Sequence, residues 1–139
     1  MFGALGGGPD MPCRVLLVED EALIAMMVED LLDQSGCEPV VAATGAEALA
    51  LIAKGPAFEL AVIDLQLPDG NGFGVIRALW DRSPVPVIIS TGYPNIPDDE
   101  REALLPFAAP LEVMRKPWGE DQLRDLVLRF LPQAQKRAT

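Results

Sequence analysis

Five short apolar runs alternate with stretches in which apolar residues recur every three or four positions. The runs lie at 14–19, 38–42, 60–64, 86–91 and 112–115. The third is apolar at four consecutive positions, 60–63, and ends in Asp64; a strand buried on both faces reads this way. Between the first two runs, Ile24, Met27, Val28 and Leu31 fall on one side of a helix. Asp20 can cap that helix, and Gly36 is expected to end it after about Ser35. Thr44 caps a second helix over 46–53, stopped by Gly55-Pro56. A third covers 73–82 and buries Phe73, Ile76 and Trp80; a short fourth, 98–105, opens on acidic residues, as the helix dipole favours. The last, 120–131, turns Leu123, Leu126, Val127 and Phe130 inward. Strand and helix alternate five times. That predicts an α/β fold with one parallel sheet and helices on both faces, and right-handed crossovers leave few topologies.

Composition narrows the class. The chain has 139 residues, half of them hydrophobic and 23% charged, enough for one domain with a sizeable core. A net charge of −10 predicts no nucleic-acid partner and no anionic membrane surface. No apolar run has transmembrane length and no signal peptide precedes the first strand, so the expected location is the cytoplasm. Histidine is absent, which removes His-based nucleophilic catalysis and the commonest zinc sites. Cys13 and Cys37 have no metal-ligand spacing. Each precedes a predicted strand, and reduced cysteines are the cytosolic expectation over a bridge. Residues 1–12, with Gly6-Gly7-Gly8-Pro9, read as a disordered leader; Met11 is an alternative start, and 132–139 reads as a flexible tail.

The chemistry lies at the strand ends. The first run ends in Glu19-Asp20, the third in Asp64, the fourth in Ser90-Thr91 and the fifth in Lys116-Pro117. In a parallel sheet these ends share one edge, where α/β sheets bind ligands. Taken alone, Asp64 is equally a helix cap or a turn residue before Leu67-Pro68-Asp69-Gly70. Taken together, three carboxylates repel one another and raise their pKa values unless a cation sits among them. Oxygen donors without His or Cys suit Mg²⁺. A lysine and a hydroxyl beside them suit anionic oxygens, and the set as a whole suits phosphoryl transfer to a carboxylate.

These motifs, Glu19-Asp20, Asp64 with Leu67-Pro68-Asp69-Gly70-Asn71-Gly72, Thr91 and Lys116-Pro117, give a chain that resembles the receiver domain of two-component response regulators over about 13–131. The resemblance implies a flavodoxin-like, doubly wound sheet in the order 2-1-3-4-5. It implies that Asp64 accepts a phosphoryl group from the phosphohistidine of a histidine kinase or phosphotransfer protein. Asp20, Asp64 and the Gln66 carbonyl would bind Mg²⁺, with Glu19 assisting through water. Thr91 and Lys116 would hold phosphoryl oxygens, and Gly92 would leave room for the donor. The Lys116–Pro117 peptide is expected to be cis. Such a module is a phosphoacceptor, not an enzyme in the usual sense; the alternative is a pseudo-receiver that only binds partners.

Two positions depart from the common pattern. Val113 stands three before the lysine, where many receivers carry a switching aromatic. Ile89-Ser90-Thr91-Gly92-Tyr93 resembles the FAT GUY group except at its first two positions. Tyr93 and the 92–110 segment are therefore the expected switch, with Gln66 and Tyr93 flanking the water path to a phosphorylated Asp64. Ala22, Ala25 and Met26, off the buried stripe and beside Glu29, form the expected kinase-docking face. Val113, Met114 and Trp118 form a second candidate surface, open to homodimerisation. The short tail leads to the expectation of a stand-alone regulator that acts through a downstream protein or as a phosphate sink.

Overall fold

The computed structural model describes residues 13–93 and 95–131. The expected leader and tail, and Pro94, lie outside the described residues. Strands β1 (Cys13–Val18), β2 (Cys37–Ala42), β3 (Leu60–Asp64), β6 (Val87–Thr91) and β7 (Leu111–Arg115) form one five-stranded sheet in the order β2-β1-β3-β6-β7. Every neighbouring pair in it is parallel. This is the order expected from the resemblance. The extra strands β4 (Gln66–Leu67) and β5 (Gly70–Asn71) are a small antiparallel hairpin in the loop that follows β3. Two residues a side give no periodicity to read.

The helices are α1 (Ala22–Gln34), α2 (Gly45–Lys54), α3 (Phe73–Arg82), α4 (Asp98–Leu104) and α5 (Glu120–Phe130), with a 3₁₀ turn at Leu105–Phe107. Strand alternation sends side chains to opposite faces. Leu16, Val18, Ala61, Ile63, Val87 and Ile89 join α2, α3 and Leu104 in one core. Val15, Leu17, Leu60, Val62, Ile88 and Met114 join α1 and α5 in the other. Each fully buried Leu or Ile contributes roughly 1.5–3 kcal/mol, so the two cores clamp the central strand β3, whose five residues are all buried.

Three expectations about α1 and its cap change. Ala25 is buried and belongs to the α1–α5 core, so it is no part of an outer face. The inward stripe is Ala25, Val28, Leu31 and Leu32, turned about one position from the expected one; Ile24 and Met27 are half-buried at its flank. The residue fully out in solvent is Leu23, 82% exposed, with Met26 at 59%. Asp20 does not cap the helix. Glu21 occupies that position without a side-chain cap bond. Gly36, at φ 82°, does end the helix, directly after its Ser35 C-cap. Met114 is fully buried against the same core, so it drops out of the second candidate surface; Val113 is half-buried against the other core.

Cys13 and Cys37 are direct cross-strand partners on β1 and β2, both buried and both free. Contact with Cys37 and burial push the Cys13 thiol up. No helix among the described residues is long and apolar enough to cross a membrane.

Candidate active site

The parallel sheet brings the expected residues to one edge. Glu19 follows β1 directly, and its amide donates to the Ala42 carbonyl over 3.0 Å, which keeps the β1–β2 ladder intact up to the site. Asp64 closes β3 and is 2% exposed. The Gln66 amide donates to Asp64 Oδ1 over 2.9 Å, and the Lys116 ammonium donates to Asp64 Oδ2 over 3.1 Å. Lys116 also stands 3.6 Å from Glu19 Oε1 and 3.7 Å from Glu21 Oε1. Its position is set by its own amide, which donates to the Thr91 carbonyl over 2.7 Å. The Lys116–Pro117 peptide is cis.

Glu19, Asp20 and Asp64 each offer a carboxylate oxygen, and these lie within 4.8 Å of one another. Glu19 and Asp64 are buried and Asp20 is exposed, so the cluster opens to solvent on one side. Burial, joined by the charge of Asp64 and opposed by the Glu21 amide, pushes the Glu19 carboxyl up to about 7. Burial alone would lower the Lys116 pKa; the hydrogen bond to Asp64 and the charges of Glu19, Asp64 and Glu21 outweigh it and raise it. One lysine thus faces three carboxylates, Asp64, Glu19 and Glu21, with Asp20 beside them. The remaining negative charge, the hard oxygen donors and the one open side fit Mg²⁺.

Gly72 is required here. A Cβ on it would come 2.6 Å from the Asp64 carbonyl oxygen and 2.8 Å from Ile63 Cγ2. Its amide donates to the Leu65 carbonyl over 3.0 Å, which folds the loop back under Asp64. Gln66 spans the mouth: its Oε1 accepts from the Gly92 amide over 3.2 Å, and a Cβ at Gly92 would meet that oxygen at 3.0 Å.

The hydroxyl of Thr91 is bonded to the turn that follows β6. Thr91 is fully buried, and its Oγ1 accepts from the Tyr93 amide over 2.9 Å. The Tyr93 carbonyl accepts from Arg115 over 2.8 Å, and the Tyr93 side chain is 40% exposed. Trp118 is half-buried; its Nε1 donates to Ser90 Oγ over 2.8 Å, and its ring packs on the α1–α5 core. A groove of about 450 Å³ beside Lys116 is lined by Glu21, Ile24, Met27, Pro117 and Trp118. Sequence reading missed Glu21 as a partner of Lys116, and the bonds of Ser90 and Arg115. No spacing rule joins residues on different strands at this range.

The response regulator receiver domain family matches residues 15–128. The chain belongs to that family. The receiver is 31% identical, over 122 residues and 85% of its length, to protein-glutamate methylesterase/protein-glutamine glutaminase 2 of Methanospirillum hungatei JF-1; the match covers 35% of that protein. It is 38% identical over 88 residues to the phyllosphere-induced regulator PhyR of Methylorubrum extorquens, covering 62% of this chain and 33% of that one. The receiver thus spans about a third of these curated relatives. Among solved structures, a CheY-like receiver domain protein from Methanospirillum hungatei JF-1 superposes with a TM-score of 0.72 at 27% identity, covering 93% of this chain and all of that one. The response regulator TrrA of Thermotoga maritima, solved in complex with Mg(2+)-BeF, has a TM-score of 0.69 at 27% identity, covering 87% and 100%.

Proposed function

We propose that this receiver accepts a phosphoryl group on Asp64 from a phosphohistidine of a histidine kinase or phosphotransfer protein, in a Mg²⁺-dependent step. The observation that carries the reading is Asp64 itself: a buried carboxylate between the Gln66 amide and the Lys116 ammonium, with Glu19 and Asp20 within ligand distance. TrrA's Mg(2+)-BeF complex supports the same donor chemistry.

A carboxylate oxygen of Asp64 forms the new P–O bond as the P–N bond to the donor imidazole breaks, and the imidazole leaves after taking up a proton. Asp20, Asp64 and the Gln66 carbonyl would hold the metal, with Glu19 one water away. When bound, the metal would supply positive charge to the Asp64 carboxylate and the phosphoryl oxygens. Lys116, released from Asp64 Oδ2, pairs with an oxygen of the arriving phosphoryl group. Gly92, lacking a side chain, leaves the approach to Asp64 open. Thr91 donates a hydrogen bond from its hydroxyl to another phosphoryl oxygen. In doing so it turns from the Tyr93 amide and frees the 92–110 segment, which biases the switch toward a second arrangement. Gln66 and Tyr93 flank the path of water to the acyl phosphate and set its lifetime.

Partner docking falls on the exposed ridge of Ala22, Leu23 and Met26 and the groove beside Lys116 and Trp118. An unpaired apolar ridge next to the site suits a helix that presents the donor histidine. The phosphorylated form acts through a downstream protein.

The test is the identity of the modified side chain. Borohydride reduces an acyl phosphate to an alcohol, so the peptide containing Asp64 from donor-treated protein should carry homoserine in place of that aspartate. An unaltered aspartate in fully labelled protein overturns the reading.

A further inference from the structure

A helix leaves its first amides without intrahelical acceptors. At the start of α2, Thr44 Oγ1 accepts from the Glu47 amide over 3.1 Å, and Glu47 Oε1 accepts from the Ala43 amide over 2.9 Å. This pair is close to a capping box, except that Glu47 takes the amide one position before the Thr44 cap, and it leaves the Gly45 and Ala46 amides over. Neither is taken locally. Asp69, in the turn between β4 and β5, accepts both: Gly45 N–H on Oδ1 over 2.9 Å and Ala46 N–H on Oδ2 over 3.0 Å. One carboxylate chelates two adjacent amides some two dozen positions away. Those amides hold the Asp69 carboxyl below the usual range, so it stays charged. Gly45 is fitted to the contact, since a Cβ there would come 3.2 Å from Asp69 Oδ1.

Besides the Gln66 side chain on Gly92 and Leu67 in the core, the other attachments of this loop sit at its root. Gln66 N–H rests on Asp64 Oδ1, Gly72 N–H on the Leu65 carbonyl, and Leu65 N–H reaches the Ser90 carbonyl over 3.4 Å. The tip is held by Asp69. We infer that Asp69 is a positioning residue: its carboxylate, seated on Gly45 and Ala46, pins the 65–72 loop to α2 and holds the Gln66 backbone at the acidic site. The consequence for Mg²⁺ rests on the functional reading above; the tether itself does not. A helix cap supplied from another element couples two segments, where a local cap stabilises only its own helix.

The experiment follows amide hydrogen exchange by NMR in metal-free protein, with a parallel Mg²⁺ titration by calorimetry. Three variants are compared with wild type: Asp69→Ala, Asp69→Asn, and Thr44→Ala as a helix-only control. Thr44→Ala removes a cap from the same helix without touching the loop. Asp69→Ala should speed exchange about tenfold at Gln66 and Gly72 as well as at Gly45 and Ala46, and should weaken Mg²⁺ several-fold. Asp69→Asn, which keeps one acceptor oxygen, should fall between it and wild type. Thr44→Ala should affect α2 alone. Wild-type exchange at Gln66 and Gly72 in Asp69→Ala overturns the inference, and so does the same loop loosening in Thr44→Ala. Loop loosening confined to the Asp69 variants supports the tether even in a protein that takes up no Mg²⁺, so loss of the metal reading is scored separately.

Discussion

The Lys116 ammonium lies 3.1 Å from Asp64 Oδ2, and Asp64 is 2% exposed. In metal-free protein this lysine is the only cation found among Glu19, Asp64 and Glu21 in the described residues. Removing one partner of a buried pair leaves an uncompensated charge and costs about 3 kcal/mol. Lys116→Met should therefore lower the melting temperature in chelator. Saturating Mg²⁺ should recover more stability in the variant than in wild type, because the metal replaces the missing charge. Equal melting temperatures for the two proteins in chelator would contradict this.

The Glu19 carboxyl titrates near 7 in the folded protein because burial and the Asp64 charge disfavour its ionised form. In an unfolded chain a glutamate titrates at roughly 4.3. The folded state therefore binds this proton more tightly. The contribution of Glu19 is most favourable at low pH and declines as pH rises from about 4.3 to about 7. Urea midpoints of metal-free wild type and Glu19→Gln, measured at about pH 5 and about pH 8, should show the variant gaining on wild type at the higher pH. A constant difference between them would refute the assignment.

Gly72 supports Asp64 from below. Gly72→Ala forces a Cβ to within 2.6 Å of the Asp64 carbonyl oxygen, so the backbone of β3 must move. Overpacking of this kind costs about 1–3 kcal/mol. Chemical denaturation should show that loss, and Asp64 should accept phosphoryl groups more slowly at temperatures where the variant is fully folded. Wild-type stability and rate would contradict the contact.

Much of this was legible in the sequence, and the exceptions share a cause. The bounds of β3 and α3 follow from their patterns, since a run buried on both faces and a strong helical stripe leave little freedom. The four strand-end motifs locate the site because a parallel sheet aligns its ends. What failed depended on helix phase and on contacts between distant segments. Ala25 is too small to weight an apolar stripe, so the inner face of α1 was read from Ile24 and Met27, one position off. Met114 in an edge strand gave no sign that α5 would cover it. The reach of Asp69 to α2 spans two dozen positions, beyond any local rule.

Thr91 Oγ1 and the Tyr93 amide form the bond that phosphorylation should break. Hydrogen exchange should quicken at Tyr93 and along 92–110 when Asp64 carries a phosphoryl group, while β3 stays protected. An unchanged 92–110 segment in fully phosphorylated protein would move the switch elsewhere.

Asp64 is proposed as the phosphoacceptor of a Mg²⁺-dependent site. Intact mass after incubation with acetyl phosphate, with and without Mg²⁺, tests it most directly in wild type and Asp64→Asn. Wild type should gain one phosphoryl group with Mg²⁺ and little without the metal, and the variant should gain none. The same gain in Asp64→Asn, or a wild-type gain indifferent to Mg²⁺, would contradict it.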